Sequence, residues 1–313
     1  MSSLIEQAAV RLEQLRRAGV SIPEIAPPAA APPPTTPPLV VQSAPAAETR
    51  LRTSQQVTLD LDALSAIGIV TPNAPRSQAA DQYRVIKRPL ITNARSMGAS
   101  VLNHGNLIMV TSALVGEGKS FTSVNLAMSI AMELDNTVML VDADVARPSV
   151  LRMLGLQPRP GLLDLLEGST DMASVLLKTN IDKLTLLPSG TPHPQATELL
   201  ASDAMRVLLD DMAKRYADRI IIFDSPPLLL TTEARVLATQ MGQVVMVVQA
   251  DKTLQADVQR ALSTIKACAN INLVLNKGRG DSDGGESHGF GYGYGYGYGY
   301  GHGSGAPDGR STT

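Results

Sequence analysis

The sequence predicts an α/β fold: an open, doubly wound and mostly parallel sheet, with added segments at both ends of the chain. Three observations predict it. Short apolar runs alternate with helical patterns from residue 106 to residue 277. One run leads into VTSALVGEGKS, residues 110–120, and a helical pattern leads out of it. Composition then breaks at both ends, to Pro/Ala-rich over 23–45 and to Gly/Tyr-rich after 289.

The chain divides into five stretches. Residues 1–20 carry Leu4, Ile5, Ala8, Leu12 and Leu15 on one side and charges on the other, which predicts an amphipathic helix. Residues 21–54 include Pro32-Pro33-Pro34 and predict an extended, semi-rigid linker. Residues 55–77 hold apolar patches at Val57, Leu59, Leu61, Leu64, Ile67 and Ile69, a small docking segment. Residues 78–280 form the main domain, and residues 281–313 a disordered tail.

Within the main domain a helix is expected over 78–95, around Tyr83, Val85 and Ile86, with Pro89 an obstacle to its continuity. Strands are expected at 107–110, 137–141, 184–187, 219–223, 244–248 and 272–275, apolar on both faces as buried parallel strands are. Helices are expected at 120–133, 196–216, 232–241 and 254–267. Such a sheet places ligand chemistry at the carboxyl ends of its strands.

The chemistry begins at that first strand end. Gly116 and Gly118 lack a Cβ, so the backbone can curl and aim N–H groups at anionic oxygens. The helix that follows adds its unpaired N–H groups and the positive end of its dipole. Lys119 supplies a mobile cation for phosphates, and the Ser120 hydroxyl suits Mg²⁺. The nucleotide cradle is then Ala113, Val115, Gly116, Glu117, Gly118, Lys119, Ser120 and Phe121. The usual motif opens with Gly; Ala113 keeps the size but loses the freedom to take positive φ.

Two further strands end in acids, one in Asp142-Ala143-Asp144 and one in Asp224-Ser225-Pro226-Pro227. An acid at a strand tip beside such a loop can hold Mg²⁺, directly or through water. Two acids at one tip can divide the work, one serving the metal and the other accepting a proton from a hydroxyl. Helix caps or loop carboxylates are the bland alternative.

The composition excludes other classes. A net charge of −2 argues against a nucleic-acid binder. The single cysteine, Cys268, excludes an internal disulfide and is expected as a buried thiol in an apolar helical pattern. His104, His193, His288 and His302 have no metal-ligand spacing. No run approaches the roughly 18–20 apolar residues of a membrane span, and the first nineteen residues lack a signal-peptide core. A cytoplasmic protein is expected.

ALVGEGKS, VMLVDADVARPS and IIIFDSPPLLL together resemble the nucleotide motifs of the bacterial tyrosine kinases, P-loop proteins of the deviant Walker type. The similarity spans about residues 78–277, and the tail beyond resembles the family's autophosphorylated tyrosine cluster. SLIEQAAVRLEQLRRAG, QYRVIKRPL and PHPQATELLASDAM resemble more narrowly the tyrosine autokinases of exosortase-linked (PEP-CTERM) exopolysaccharide loci.

The resemblance implies ATP and Mg²⁺ as cofactors. It makes Lys119 and Ser120 the phosphate and metal residues, Asp142 and Asp224 the metal-organising acids, and Asp144 the activator of the tyrosine hydroxyl. Asn276 falls where the wider superfamily contacts adenine. Tyr292, Tyr294, Tyr296, Tyr298 and Tyr300 become phosphoacceptors. Asp81, Arg84 and Lys87 match a degenerate E-x-x-R-x-x-R subunit-contact motif, with Asp for Glu and Lys for Arg. The implied partners are a separate transmembrane activator or chain-length-determinant protein, further copies of the chain and a tyrosine phosphatase. That activator would recruit the kinase to the inner face of the plasma membrane.

A Gly-rich tether of about twenty residues reaches roughly 25 Å as a coil, far enough to visit a neighbouring subunit. Phosphorylating the five tail tyrosines would add about −8 to −10 charge, which would drive subunits apart. Two other readings compete. Positioning ATPases of the cell-division-site and partition type carry a lysine directly after the first small residue of the loop, and here that position is Leu114. A non-catalytic scaffold would not need intact Lys119, Asp142, Asp144 and Asp224.

Overall fold

A computed structural model describes residues 55–95 and 102–278. The predicted helix at 1–20, the linker, the tail and its tyrosines lie outside these residues.

In chain order the elements are β1 (Gln55–Gln56), α1 (Leu61–Ala66), α2 (Gln78–Ala94), β2 (Leu107–Ser112), α3 (Lys119–Ala131) and β3 (Thr137–Asp142). Then come α4 (Val150–Met153), α5 (Leu162–Leu166), α6 (Met172–Val175), β4 (Leu177–Lys178) and β5 (Leu184–Leu187). The last are α7 (Ala196–Leu200), α8 (Asp203–Arg215), β6 (Arg219–Asp224), α9 (Thr232–Ala238), β7 (Gln243–Gln249), α10 (Gln255–Thr264) and β8 (Ile271–Asn276).

Among the described residues the strands form one eight-stranded sheet, ordered β1-β4-β5-β3-β6-β2-β7-β8. Every pairing is parallel except β4 with β5. β2 lies in the interior of the sheet with all six residues buried, which is why its sequence reads as an unbroken apolar run. Its side chains alternate between two cores: Ile108 and Val110 pack under α2 and α3, Leu107 and Met109 under the helices of the opposite face.

The structure departs from the sequence expectations in four places. α2 runs unbroken through Pro89. Both Pro89 and Val85 one turn earlier are exposed, so water can serve the carbonyl that a proline cannot. The single helix expected over 196–216 is two, because the Ser202 side chain accepts from Met205 N–H at 3.3 Å and starts α8 afresh. Cys268 lies beyond the end of α10 and is only half-buried, donating to Ala238 O at 3.0 Å. The last strand, expected to be buried on both faces, is the edge strand β8, with Leu273 and Leu275 exposed.

Residues 55–77 contribute to the core under α2 and α3. Val57, Leu59, Leu64, Ile69 and Val70 are buried there. Val70 N–H donates to the buried Asn125 side chain of α3 at 2.7 Å, and Leu59 N–H donates to Asn180 at 2.8 Å.

Candidate active site

The site stands on the carboxyl ends of β2, β3 and β6. Parallel pairing sets β3 and β6 in register, so that Asp142 lies directly across from Asp224 at the two strand tips. From β2 the chain turns through residues 113–118 and enters α3 at Lys119. Gly118 occupies the cap position at φ +98, and Gly116 stands at φ +81. The dihedral favours glycine, and a Cβ on Gly118 would meet Asn276 Nδ2 at 2.1 Å and have to displace that side chain. Ala113 takes no positive φ and is fully buried in the core, which is why alanine serves at a position where the usual motif has glycine. Leu114 packs partly buried against the same core.

A cavity of about 550 Å³ opens over this loop, lined by Val115, Gly116, Gly118, Lys119, Ser120 and Phe121 from the loop and α3. Asp144, Arg147 and Ser149 close it from the segment after β3, and Pro226 and Pro227 from the segment after β6. Lys119 Nζ is ion-paired with Asp144 Oδ2 at 2.6 Å, both side chains largely buried, and lies 3.4 Å from Ser120 Oγ. The other oxygen of Asp144 accepts from Arg147 N–H at 3.2 Å.

Asp142 and Asp224, 1 % and 0 % exposed, do not line this cavity, and Asp142 borders a second one of about 540 Å³. Asp142 Oδ2 accepts from Ser149 N–H and Val150 N–H, both at 3.0 Å, and so caps α4. Asp224 Oδ1 accepts from Ser123 Oγ at 3.0 Å. Their remaining oxygens, Asp142 Oδ1 and Asp224 Oδ2, are buried with no hydrogen-bond partner. Burial pushes the Asp142 carboxyl up to about 7, helped by the charge of Asp224 and opposed by the Val150 and Ser149 N–H groups. Burial likewise raises Asp224, against the pull of Lys119 and of the Ser120 and Ser123 hydroxyls.

Two orphaned carboxylate oxygens on adjacent strand tips fit a divalent cation, which would cancel their repulsion. No group of three or more His, Cys, Asp or Glu among the described residues could cage a metal alone. Mg²⁺ takes one or two carboxylates and completes its shell with water and phosphate oxygens.

The remaining predicted residues have different surroundings. Glu117 turns its side chain inward, 2 % exposed, and accepts from Leu114 N–H at 2.6 Å. Asn276 ends β8 and donates to Glu117 O at 2.9 Å. Arg84 is exposed and Asp81 half-buried, and the two are paired at 2.7 Å. Lys87, the third residue of the degenerate E-x-x-R-x-x-R motif, turns into its own chain. It is 3 % exposed, and its ammonium bonds Ser129 O at 2.5 Å and Glu133 at 2.6 Å, so α2 spends this charge on α3 and the residues just after it. Sequence reasoning missed Ser123, whose only signal is a hydroxyl one turn after Lys119 on an apolar helix. It also missed Thr253, which carried no signal and whose hydroxyl bonds Glu117.

With this geometry in place, the chain compares with known proteins as follows. A family model described as an AAA domain matches residues 105–276. Tyrosine-protein kinase YwqD of Bacillus subtilis (strain 168) is 32 % identical over 200 residues, covering 64 % of this chain and 81 % of that protein. A putative tyrosine-protein kinase, EpsB of Ralstonia nicotianae, is 30 % identical, over 61 % of this chain and 26 % of that protein. The chain thus spans most of the first relative's length and about a quarter of the second's. Among solved structures, the kinase domain of the Escherichia coli tyrosine kinase ETK shares the fold, with a TM-score of 0.59 at 22 % identity over 77 % of this chain and 94 % of that one.

Proposed function

The chain belongs to the bacterial tyrosine-protein kinases, and from that premise we propose that it phosphorylates its own tail at Tyr292, Tyr294, Tyr296, Tyr298 and Tyr300. The transfer runs from ATP and between subunits. Its output is control of exopolysaccharide synthesis or export, under a separate membrane activator.

The observation that carries the reading is the Lys119–Asp144 pair at the floor of the cavity. ATP phosphates entering the loop compete for the Lys119 ammonium. Once Lys119 moves to the phosphates, Asp144 keeps one oxygen on Arg147 N–H and offers the other to an incoming phenol. A phenol ionises near ~10 and so needs such a base or charge stabilisation at neutral pH. The phenol oxygen bonds to the γ-phosphorus, the bond from that phosphorus to the β–γ bridging oxygen breaks, and the phenol proton goes to Asp144. Ser120, Asp142 and Asp224 are the residues that would hold Mg²⁺. When bound, it supplies charge neutralisation at the phosphates and the leaving group.

Tail chemistry supports the acceptor assignment. Glycine alternates with tyrosine, so the backbone can lie close to the loop without side-chain clashes. The test is mass spectrometry of the purified protein after incubation with ATP and Mg²⁺, with and without a candidate membrane partner. The expected result is phosphotyrosine on the tail, absent in Lys119→Met and absent when all five tail tyrosines become Phe. Label that survives Lys119→Met, or that falls only outside the tail, overturns the proposal.

A further inference from the structure

The residues that leave β8 reach back onto the phosphate-binding loop. Asn276 Nδ2 donates to Glu117 O at 2.9 Å, and Lys277 Nζ donates to Gly116 O at 2.6 Å. Lys277 stands at φ 58, in the left-handed region that residues with a side chain rarely enter. Its N–H donates to Asn276 Oδ1 at 2.9 Å, which holds that turn. On the other side of the loop, the buried Glu117 carboxylate takes Leu114 N–H at 2.6 Å, the Thr253 hydroxyl, and Gln249 N–H at 3.4 Å. The loop is therefore tied at three places: the end of β8, the turn after β7, and its own beginning.

These ties fix the direction of particular peptide groups. Across a trans peptide the C=O and N–H point in opposite directions. Holding Gly116 O on Lys277 turns the Glu117 N–H away from Lys277. Holding Glu117 O on Asn276 turns the Gly118 N–H away from Asn276. Both N–H groups belong to the stretch that such a loop offers to phosphate oxygens. Without the ties, the two glycines would leave these peptides free to rotate.

We infer that Lys277, together with Asn276 and Glu117, is a positioning residue for the nucleotide phosphates. It acts through the Gly116 peptide, by pinning its carbonyl outward so that the next N–H faces the ligand. The inference rests on nucleotide binding at the P-loop.

The test uses the full chain and three measurements: ATP dependence of phosphotyrosine formation, calorimetric binding of MgADP, and melting without nucleotide. Lys277→Met is expected to raise KM for ATP and the MgADP Kd by about tenfold, the size of one lost charge-assisted hydrogen bond. kcat should change less than about twofold, since only binding geometry is touched. Lys277→Arg, which keeps a charged donor, should restore both constants. Glu117→Gln, which exchanges one acceptor oxygen for a donor, should shift KM in the same direction. Lys277 is exposed, so the nucleotide-free melting temperature should not move in Lys277→Met. Unchanged KM in that variant overturns the inference. So does a loss confined to kcat, which would put the ammonium in the chemistry, or a loss that Arg does not rescue. Failure of the wild-type chain to bind MgADP would instead overturn the P-loop reading beneath it.

Discussion

Asp142→Asn should make the nucleotide-free protein more stable while removing its response to Mg²⁺-nucleotide. The Asp142 carboxyl ionises near 3.8 in an ordinary setting and is pushed up to about 7 in the fold, first by burial and then by Asp224. A carboxyl whose folded pKa is raised contributes stability that is full below the unfolded value and is lost as pH climbs through the folded one. The window is therefore about pH 4 to 7, and at 1.36 kcal/mol per pKa unit the loss is about 4 kcal/mol at most. Asp224 competes for the same proton, which lowers the share that belongs to Asp142. The amide oxygen introduced by Asp142→Asn would still accept from Ser149 N–H and Val150 N–H, and the amide would never ionise. At about pH 8 the variant should gain about 2–4 kcal/mol over wild type, and at about pH 4 the two should agree within about 1 kcal/mol. Urea denaturation across that range measures the difference, and thermal shift with Mg²⁺-ATP measures the lost response. A stability difference that is flat with pH, or a variant less stable at about pH 8, would refute the reasoning.

Three more substitutions have definite expected outcomes. Gly118→Ala places a Cβ at 2.1 Å from Asn276 Nδ2 at φ +98. It should cost about 2–4 kcal/mol in urea denaturation and abolish nucleotide binding in calorimetry. Lys87→Ala removes a buried ammonium and strips Ser129 O of its donor. It should cost about 2–4 kcal/mol yet leave the oligomer mass in light scattering unchanged, because the side chain is internal. Asp144→Asn should lower kcat for tail phosphorylation by about 10²–10⁴ without raising KM for ATP, read by phosphotyrosine-specific detection.

The parts of the fold that read well from the sequence are those whose residues answer to one demand. β3 and β6 are buried on both faces, so their apolar runs mark them, and the acids at their tips mark where they stop. Residues 150–175 fold as three short helices, each of five residues or fewer. No periodic pattern can develop over so few residues. Ser202 and Pro89 misled in opposite directions, because a cap and a proline each act through neighbours: Ser202 breaks a pattern that looked continuous, and the exposure of Val85 spares a helix that looked broken. That acids stand at the strand tips was legible, and the partners of those acids were not. Lys87 matched a surface motif by spacing, but whether a lysine faces out or bonds Glu133 beyond the next helix is decided by packing that sequence spacing does not encode.

The carboxylates also show why the structural and functional readings of an acid at a strand tip need not exclude each other. Asp142 gives one oxygen to the start of α4 and keeps the other unpaired. Asp224 gives one to Ser123 and keeps the other unpaired. Asp144 gives one to Arg147 N–H and the other to Lys119. In each case one oxygen is held by a bond to the scaffold, which fixes the rotamer. A carboxylate held by one oxygen is oriented while its second oxygen can still change partners, which a cation site and a general base both require. Glutamate at any of these positions would carry the same charge on a longer arm. It would have to give up either the scaffold bond or the placement of the free oxygen.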